Sequence, residues 1–255
     1  MDVSPFDAVF VVALPERRES VTSVLAAAGI RPTVFPAILR GELDLGALVA
    51  GGVLTEDAKI SLNTGQIACH LSHVSVLAQF LRDPAAQTCL VFEDDLRPVP
   101  GDTVDEMRKI RDAVPPDWDI LYLGRCSDLC CHDVEAAAGV VRCTAPFCRH
   151  AYAVTRRGAA TIVANTLPMD RLPGDKMYAN LIRDGALRAY CAKPALFFQD
   201  REAFASTLGN TERELSECSR FQIFLQHSDK TAAVLCVLVV VLAAGVALWA
   251  RPKAR

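Results

Sequence analysis

The chain of 255 residues is long enough for one sizeable domain, or a domain and a tail, and carries a formal net charge of only −3. That near-neutral balance, with aromatic residues at 7 %, argues against the basic footprint and stacking platform of a nucleic-acid binder. No glycine-rich loop leads into a Lys-Ser or Lys-Thr pair, which argues equally against a P-loop nucleotide enzyme.

The predicted elements begin with an apolar strand, Ala8 to Leu14, followed by Pro15-Glu16-Arg17-Arg18-Glu19. Val21, Val24, Leu25 and Ala28 then fall at helical spacing, and Gly29 suits the helix C-terminal cap. Thr33 to Ala37 reads as a second short strand. Strand, helix, strand is the opening of an α/β sheet, whose ligands bind at the carboxyl ends of the strands. Arg17 and Arg18 stand at such an end, where guanidinium groups receive a diphosphate through bidentate bonds. A solvated helix start is the alternative use of the same two residues.

Residues 41–61 are mixed in character and read as a loop with one short helix over Leu43 to Ala50. From Thr64 to Leu81 the pattern predicts a helix with Thr64 as its N-cap, and Ile67, His70, Leu71, Val74 and Leu77 share its apolar face. His70 lies on that face and His73 is rotated away from it. Three residues of spacing would let both reach one metal, but no HExxH pattern is present to suggest zinc hydrolysis. A hydrogen-bonded structural role is the alternative for each.

Cys89-Leu90-Val91-Phe92 predicts a strand buried on both faces, and it runs directly into Glu93-Asp94-Asp95. Three carboxylates at an interior strand end repel one another unless a positive group sits among them. In an extended chain Glu93 and Asp95 point one way and Asp94 the other. The stretch is either a solvated loop after a core strand or a site for a divalent metal and a sugar nucleotide.

A helix over Thr103 to Ala113, capped by Asp102, precedes a buried strand within Trp118 to Gly124. Residues 125–148 form an insertion holding Cys126, Cys130, Cys131, Cys143 and Cys148. Their spacing fits paired zinc knuckles poorly, so free thiols packed as small apolar groups are the first reading and disulfides the alternative. His150 to Thr155 reads as a strand, Arg156 to Ala164 as a helix, and Pro173-Gly174-Asp175-Lys176 as the start of a helix to Arg183. Short strands over Leu187 to Ala192 and Leu196 to Phe198 complete a domain spanning 1–205.

Residues 206–231 read as a polar stalk, and 232–250 form an uncharged, proline-free run. As a helix this run spans about 28 Å against a bilayer core of roughly 30 Å, which predicts a transmembrane anchor before the basic tail 251–255. The basic tail favours a cytosolic C-terminus with the domain on the opposite side. The opening Met1-Asp2-Val3-Ser4 does not read as a basic leader, which favours a cytosolic domain, so both orientations stand.

In this order, several segments together resemble glycosyltransferase family 25, the lipooligosaccharide and procollagen galactosyltransferase group. They are Leu14 to Arg18, Gly65 to His73, Leu90 to Asp95, Trp118 to Gly124, His150 to Val154 with Arg157-Gly158-Ala159, and Pro173-Gly174-Asp175. The resemblance implies a GT-A-like, Rossmann-type single domain, a UDP-galactose or UDP-glucose donor, and Mn²⁺ or another divalent cation. It implies Asp95 and Glu93 as metal ligands, and Arg17, Arg18, His70, Ser72, His73, Glu93 and Asp94 around the donor. Asp175 is implied as the base that deprotonates an acceptor hydroxyl during inverting transfer to a glycan or protein. Two steps depart from the family pattern: the proline-aspartate motif is only Pro173-Gly174-Asp175-Lys176, and the Ser-Asp near the domain end is Ser206-Thr207. A non-catalytic, membrane-tethered binding or assembly module is the alternative.

Overall fold

The computed structural model describes residues 4–126 and 132–200. The expected stalk, anchor and basic tail lie outside the described residues, as do Cys130 and Cys131. Among the described residues no helix is long and apolar enough to cross a membrane.

The first strand, β1 (Ala8–Ala13), pairs in parallel with β2 (Thr33–Pro36) on one side and β3 (Thr88–Glu93) on the other. Strand β8 (Phe147–Thr155) inserts antiparallel between β3 and β5 (Ile120–Cys126). Strand β9 (Ala189–Ala192) lies parallel to β5, and the hairpin of β6 (Val134–Ala137) and β7 (Val140–Arg142) extends that edge. The order is β2-β1-β3-β8-β5-β9-β7-β6, a mixed sheet at the centre of one α/β domain. Separately, β4 (Leu96–Pro98) and β10 (Phe197–Gln199) form a two-stranded antiparallel pair.

Side-chain alternation along the strands sorts the core into two layers. Val9, Val11 and Ala13 of β1, with Leu90 and Phe92 of β3, pack toward α1 (Arg18–Ala27) and α5 (Thr103–Ala113). Phe10 and Val12, with Cys89 and Val91, pack toward α4 (Thr64–Arg82), α6 (Arg156–Asn165) and α7 (Gly174–Arg183). Between β2 and α4, the helices α2 (Leu45–Ala50) and α3 (Glu56–Ser61) build a smaller cluster around Leu54, Ala58, Leu62 and Ile67.

Three details differ from expectation. The cap of α4 is Asn63, not Thr64: its side chain accepts from the Gln66 backbone while Gln66 reaches back to the Asn63 N–H, a capping box. The insertion, for which no strand was expected, supplies β6 and β7 at the sheet edge. Its thiols are not all free either, since Cys126 and Cys148 are disulfide-bonded; Cys143 stays a buried thiol.

Two of the recognisable sequence segments prove to be joints of the fold. A Cβ on Gly158 would sit 2.3 Å from the Asp119 carbonyl oxygen, so α6 reaches the start of β5 only because residue 158 has no side chain. Asp119 also accepts from Arg157 Nε at 2.7 Å and from the Arg188 backbone at 2.9 Å, locking α6, β5 and the approach to β9 together.

Candidate functional site

The chain turns immediately after β3, and that turn breaks the strand alternation expected for the three acids. Glu93, Asp94 and Asp95 all line one cavity of about 680 Å³ at the carboxyl ends of β1 and β3, but each meets a different partner. The volume lies within the usual range for a small-molecule site.

Asp94 faces the first strand. The Leu14 N–H donates to its Oδ2 at 2.7 Å, and Arg17 Nη1 donates to its Oδ1 at 3.1 Å. Burial outweighs both and raises the carboxyl above its usual value. Of the expected arginine pair only Arg17 lines the cavity; Arg18 is exposed on the first turn of α1.

Glu93 faces α4. His73 Nε2–H donates to Glu93 Oε1 at 2.9 Å, and His73 Nδ1 accepts from the Tyr152 hydroxyl at 3.0 Å. That tautomer follows from the partners, and it suits a ring kept neutral by burial and by the Arg149 charge. Burial would raise the Glu93 carboxyl, but the His73 hydrogen bond, together with the nearby Arg149 charge, holds it at about 2. His73, expected to be rotated away from the apolar face of its helix, is as buried as His70.

Asp95 is half-buried, more open than Asp94, but one of its oxygens is enclosed. Gln199 Nε2 donates to its Oδ2 at 3.2 Å, while its Oδ1 is buried without a hydrogen-bond partner. Burial, then the charges of Glu93 and Asp94, push its carboxyl up to about 7. A buried carboxylate oxygen with no donor is the vacancy in the bonding pattern that a hard cation satisfies, so the residues fit a divalent metal here. The donor atoms of Cys69, His73 and Glu93 also lie within 4.8 Å of one another. There, however, His73 and Glu93 already satisfy each other, and burial holds Cys69 as a thiol with its pKa near 12.

The opposite wall comes from α4, β8 and the start of α7. Ser72 lines the cavity, donates to the Ala68 carbonyl at 2.7 Å and accepts from the Ile38 N–H at 2.9 Å, tying down the segment after β2. Asp175 lies in the first turn of α7 and lines the cavity, with its Oδ1 accepting from the Lys176 backbone at 2.8 Å. His70 does not line it; buried behind, it hydrogen-bonds Arg149 and the Thr166 carbonyl. Arg149, Cys69, Lys176 and Gln199 are lining residues that the sequence reading did not single out. For Gln199 and Arg149 no local pattern marks the position, whereas Cys69 sits within the segment Gly65 to His73 that was singled out.

The class defined by these features is an α/β domain whose acids and arginines converge on a cavity at the strand ends. Residues 7–109 match the model of glycosyltransferase family 25 (LPS biosynthesis protein), which supports assigning the chain to that family. A Rattus norvegicus protein named "Probable inactive glycosyltransferase 25 family member 3" is 29 % identical over 223 residues, covering 75 % of this chain and 38 % of that protein. A Drosophila melanogaster "Glycosyltransferase 25 family member" is 28 % identical over 180 residues, 65 % of this chain and 29 % of that one. The Homo sapiens "Inactive glycosyltransferase 25 family member 3" is 29 % identical over 185 residues, 67 % and 31 % respectively. The chain thus spans about a third of the length of these curated relatives. Among solved structures, a glycosyltransferase involved in glycosylation of the major capsid of PBCV-1 aligns at a TM-score of 0.40 and 9 % identity, over 85 % of this chain and 99 % of that one. A Drosophila galactosyltransferase 7 mutant in complex with manganese, UDP-Gal and xylobiose aligns at 0.37 and 12 %, over 80 % and 77 %. Likenesses this distant carry no argument about the site.

Proposed function

We propose that this domain, on a GT-A-type fold, transfers galactose or glucose from a UDP-sugar to a hydroxyl of a glycan or protein acceptor, with inversion at the anomeric carbon. The observation that carries this reading is Asp95, a carboxylate whose Oδ1 is buried and unpartnered in a cavity also lined by Glu93, Asp94 and Arg17. Asp95 and Glu93 are the residues that would hold Mn²⁺ or another divalent cation. That cation, when bound, supplies the positive charge that lets a nucleoside diphosphate depart. Arg17, fixed by Asp94, supports the donor phosphates. Asp175 takes the proton from the acceptor hydroxyl as its oxygen attacks, a role that matches its place on the cavity wall. Ser72 and His73 shape the donor side, and His70 supports it from behind.

The test is metal-dependent hydrolysis or transfer from UDP-galactose or UDP-glucose by the purified full chain. Asp95→Ala is expected to lower turnover at least about a hundredfold, and absence of any donor turnover or Mn²⁺-dependent binding in the native chain overturns the enzyme reading. One observation favours a second reading, a non-catalytic tethered module: Glu93 and Asp94 are already engaged by His73 and Arg17. Relatives named inactive accord with it. Weak UDP binding without turnover, unchanged in Asp175→Ala, would support that reading. The uncharged run 232–250 supports tethering to a membrane in either case.

A further inference from the structure

Near the start of the central strand β8, Arg149 is a cation that the fold buries, only 5 % exposed, in the wall of the cavity. Its side-chain hydrogen bonds go to uncharged acceptors: Nη1 donates to His70 Nδ1 at 3.2 Å and Nη2 to Cys69 Sγ at 3.4 Å. Its guanidinium carbon stands 4.9 Å from the centre of the Tyr178 ring. His70 can accept because its own Nε2–H is directed to the Thr166 carbonyl, 3.3 Å away. Among the described residues no carboxylate pairs with Arg149. Glu93, whose charge it feels, is bonded to His73.

A buried guanidinium without an anion is expensive, and folds do not normally keep one that nothing neutralises. The seat is also built to measure. A Cβ on Gly174, at the start of α7, would fall 2.5 Å from Arg149 Nη1 and 2.5 Å from His70 Nδ1. Any larger residue there would displace the guanidinium from its place. The side chain is therefore held from one side by α4, underlaid by an aromatic ring, and given clearance by a glycine.

We propose that Arg149 is an anion-binding residue of this cavity, receiving an oxyanion of the ligand. The oxyanion is the diphosphate of the sugar nucleotide or a carboxylate carried by its sugar; both present oxygens that a guanidinium binds in bidentate fashion. This rests on the sugar-nucleotide reading above and goes beyond it by naming a recognition group outside Arg17 and the three acids.

The experiment is calorimetric titration of the full chain, native and Arg149→Gln, with uridine, UDP, UDP-glucose, UDP-glucuronate and inorganic pyrophosphate, with circular dichroism as the check on folding. If Arg149 holds the diphosphate, the variant loses about tenfold or more in affinity for UDP and both UDP-sugars while uridine is unchanged. If it holds a sugar carboxylate, the loss falls on UDP-glucuronate alone. Arg149→Lys is expected to recover part of either loss. A variant that loses uridine and UDP equally, or loses nothing, overturns the proposal. Should Arg149→Gln fail to fold, Gly174→Ala serves as the second variant, with the same selective loss expected and an unselective one overturning. If the native chain binds no uridine compound, the sugar-nucleotide reading fails by itself. Pyrophosphate then decides: binding weakened in Arg149→Gln sustains the anion site, and equal or absent binding refutes it.

Discussion

Asp95 titrates against its own burial first, then against two neighbours of its own sign, with Arg17 and Gln199 offsetting only part. Its carboxyl is pushed from 3.8 to about 7, so the folded chain retains a proton that the unfolded chain releases across that interval. The stability linked to Asp95 is thus fully present below about pH 4 and is lost as pH rises toward 7. Asp95→Asn removes this dependence. We expect the melting temperature of the native chain to fall relative to that of the variant between pH 4 and 7, with the gap constant above. Glu93 acts in a separate window: its carboxyl is depressed from 4.5 to about 2, so its contribution is present above 4.5 and lost only as pH falls toward 2. A divalent cation at Asp95 competes with the same proton. Its affinity, measured by titration of Mn²⁺ into the metal-free chain, should rise about tenfold per pH unit below 7 and then level off.

Elements meet at their smallest residues. Gly158→Ala would drive a methyl group into the Asp119 backbone, and the helix α6 must then lift from the start of β5. We expect a loss of about 1–3 kcal/mol, read from urea denaturation, with no change in the cavity's ligand preference. Much of the element order was legible in the sequence, but this joint was not: Gly158 stands out only within a family-like segment. Apolar runs over β1, β3 and β5 and the 3.6-residue period of α4 all announce themselves, as does the acid run after Phe92. Elements of low contrast were not legible. α3 has six residues and leaves Ile60 82 % exposed, so it shows no apolar face; β6 is exposed along most of its length and is a strand only because β7 lies beside it. Arg149 was hidden for a different reason. Tyr152 and Val154 of β8 pack toward α4, and strict alternation would put Arg149 on the opposite face. The pairing of β5 with β8 shifts register near Gly124, after which Arg149 reaches α4 and His150 turns to the Phe197 carbonyl. A bulge of that kind depends on a partner strand more than twenty residues away, so no window of sequence around position 149 contains it.

On the scale of the whole molecule, two core layers on either side of one mixed sheet leave the ligand cavity at a single end, where the acids, Arg17 and the α7 start converge. Tethering by 232–250 would keep the domain at a membrane surface. Deleting 232–250 is expected to move the protein from the membrane pellet, where it should withstand an alkaline wash, to the soluble fraction. A full chain that never sediments with membranes would refute the anchor. The family likeness, which covers residues 7–109, takes in β1, β2, β3 and α4 but not the strand that borders β3 on its other side. During synthesis, then, the first half of the domain emerges with Cys89 to Phe92 as an apolar, unpaired margin, and that margin stays open until Phe147 to Thr155 has left the ribosome and can slide in beside it. The part that carries the family-model match therefore cannot close its own sheet, and a nascent chain stalled between residues 110 and 146 should be a preferred client of chaperones that bind exposed strand edges.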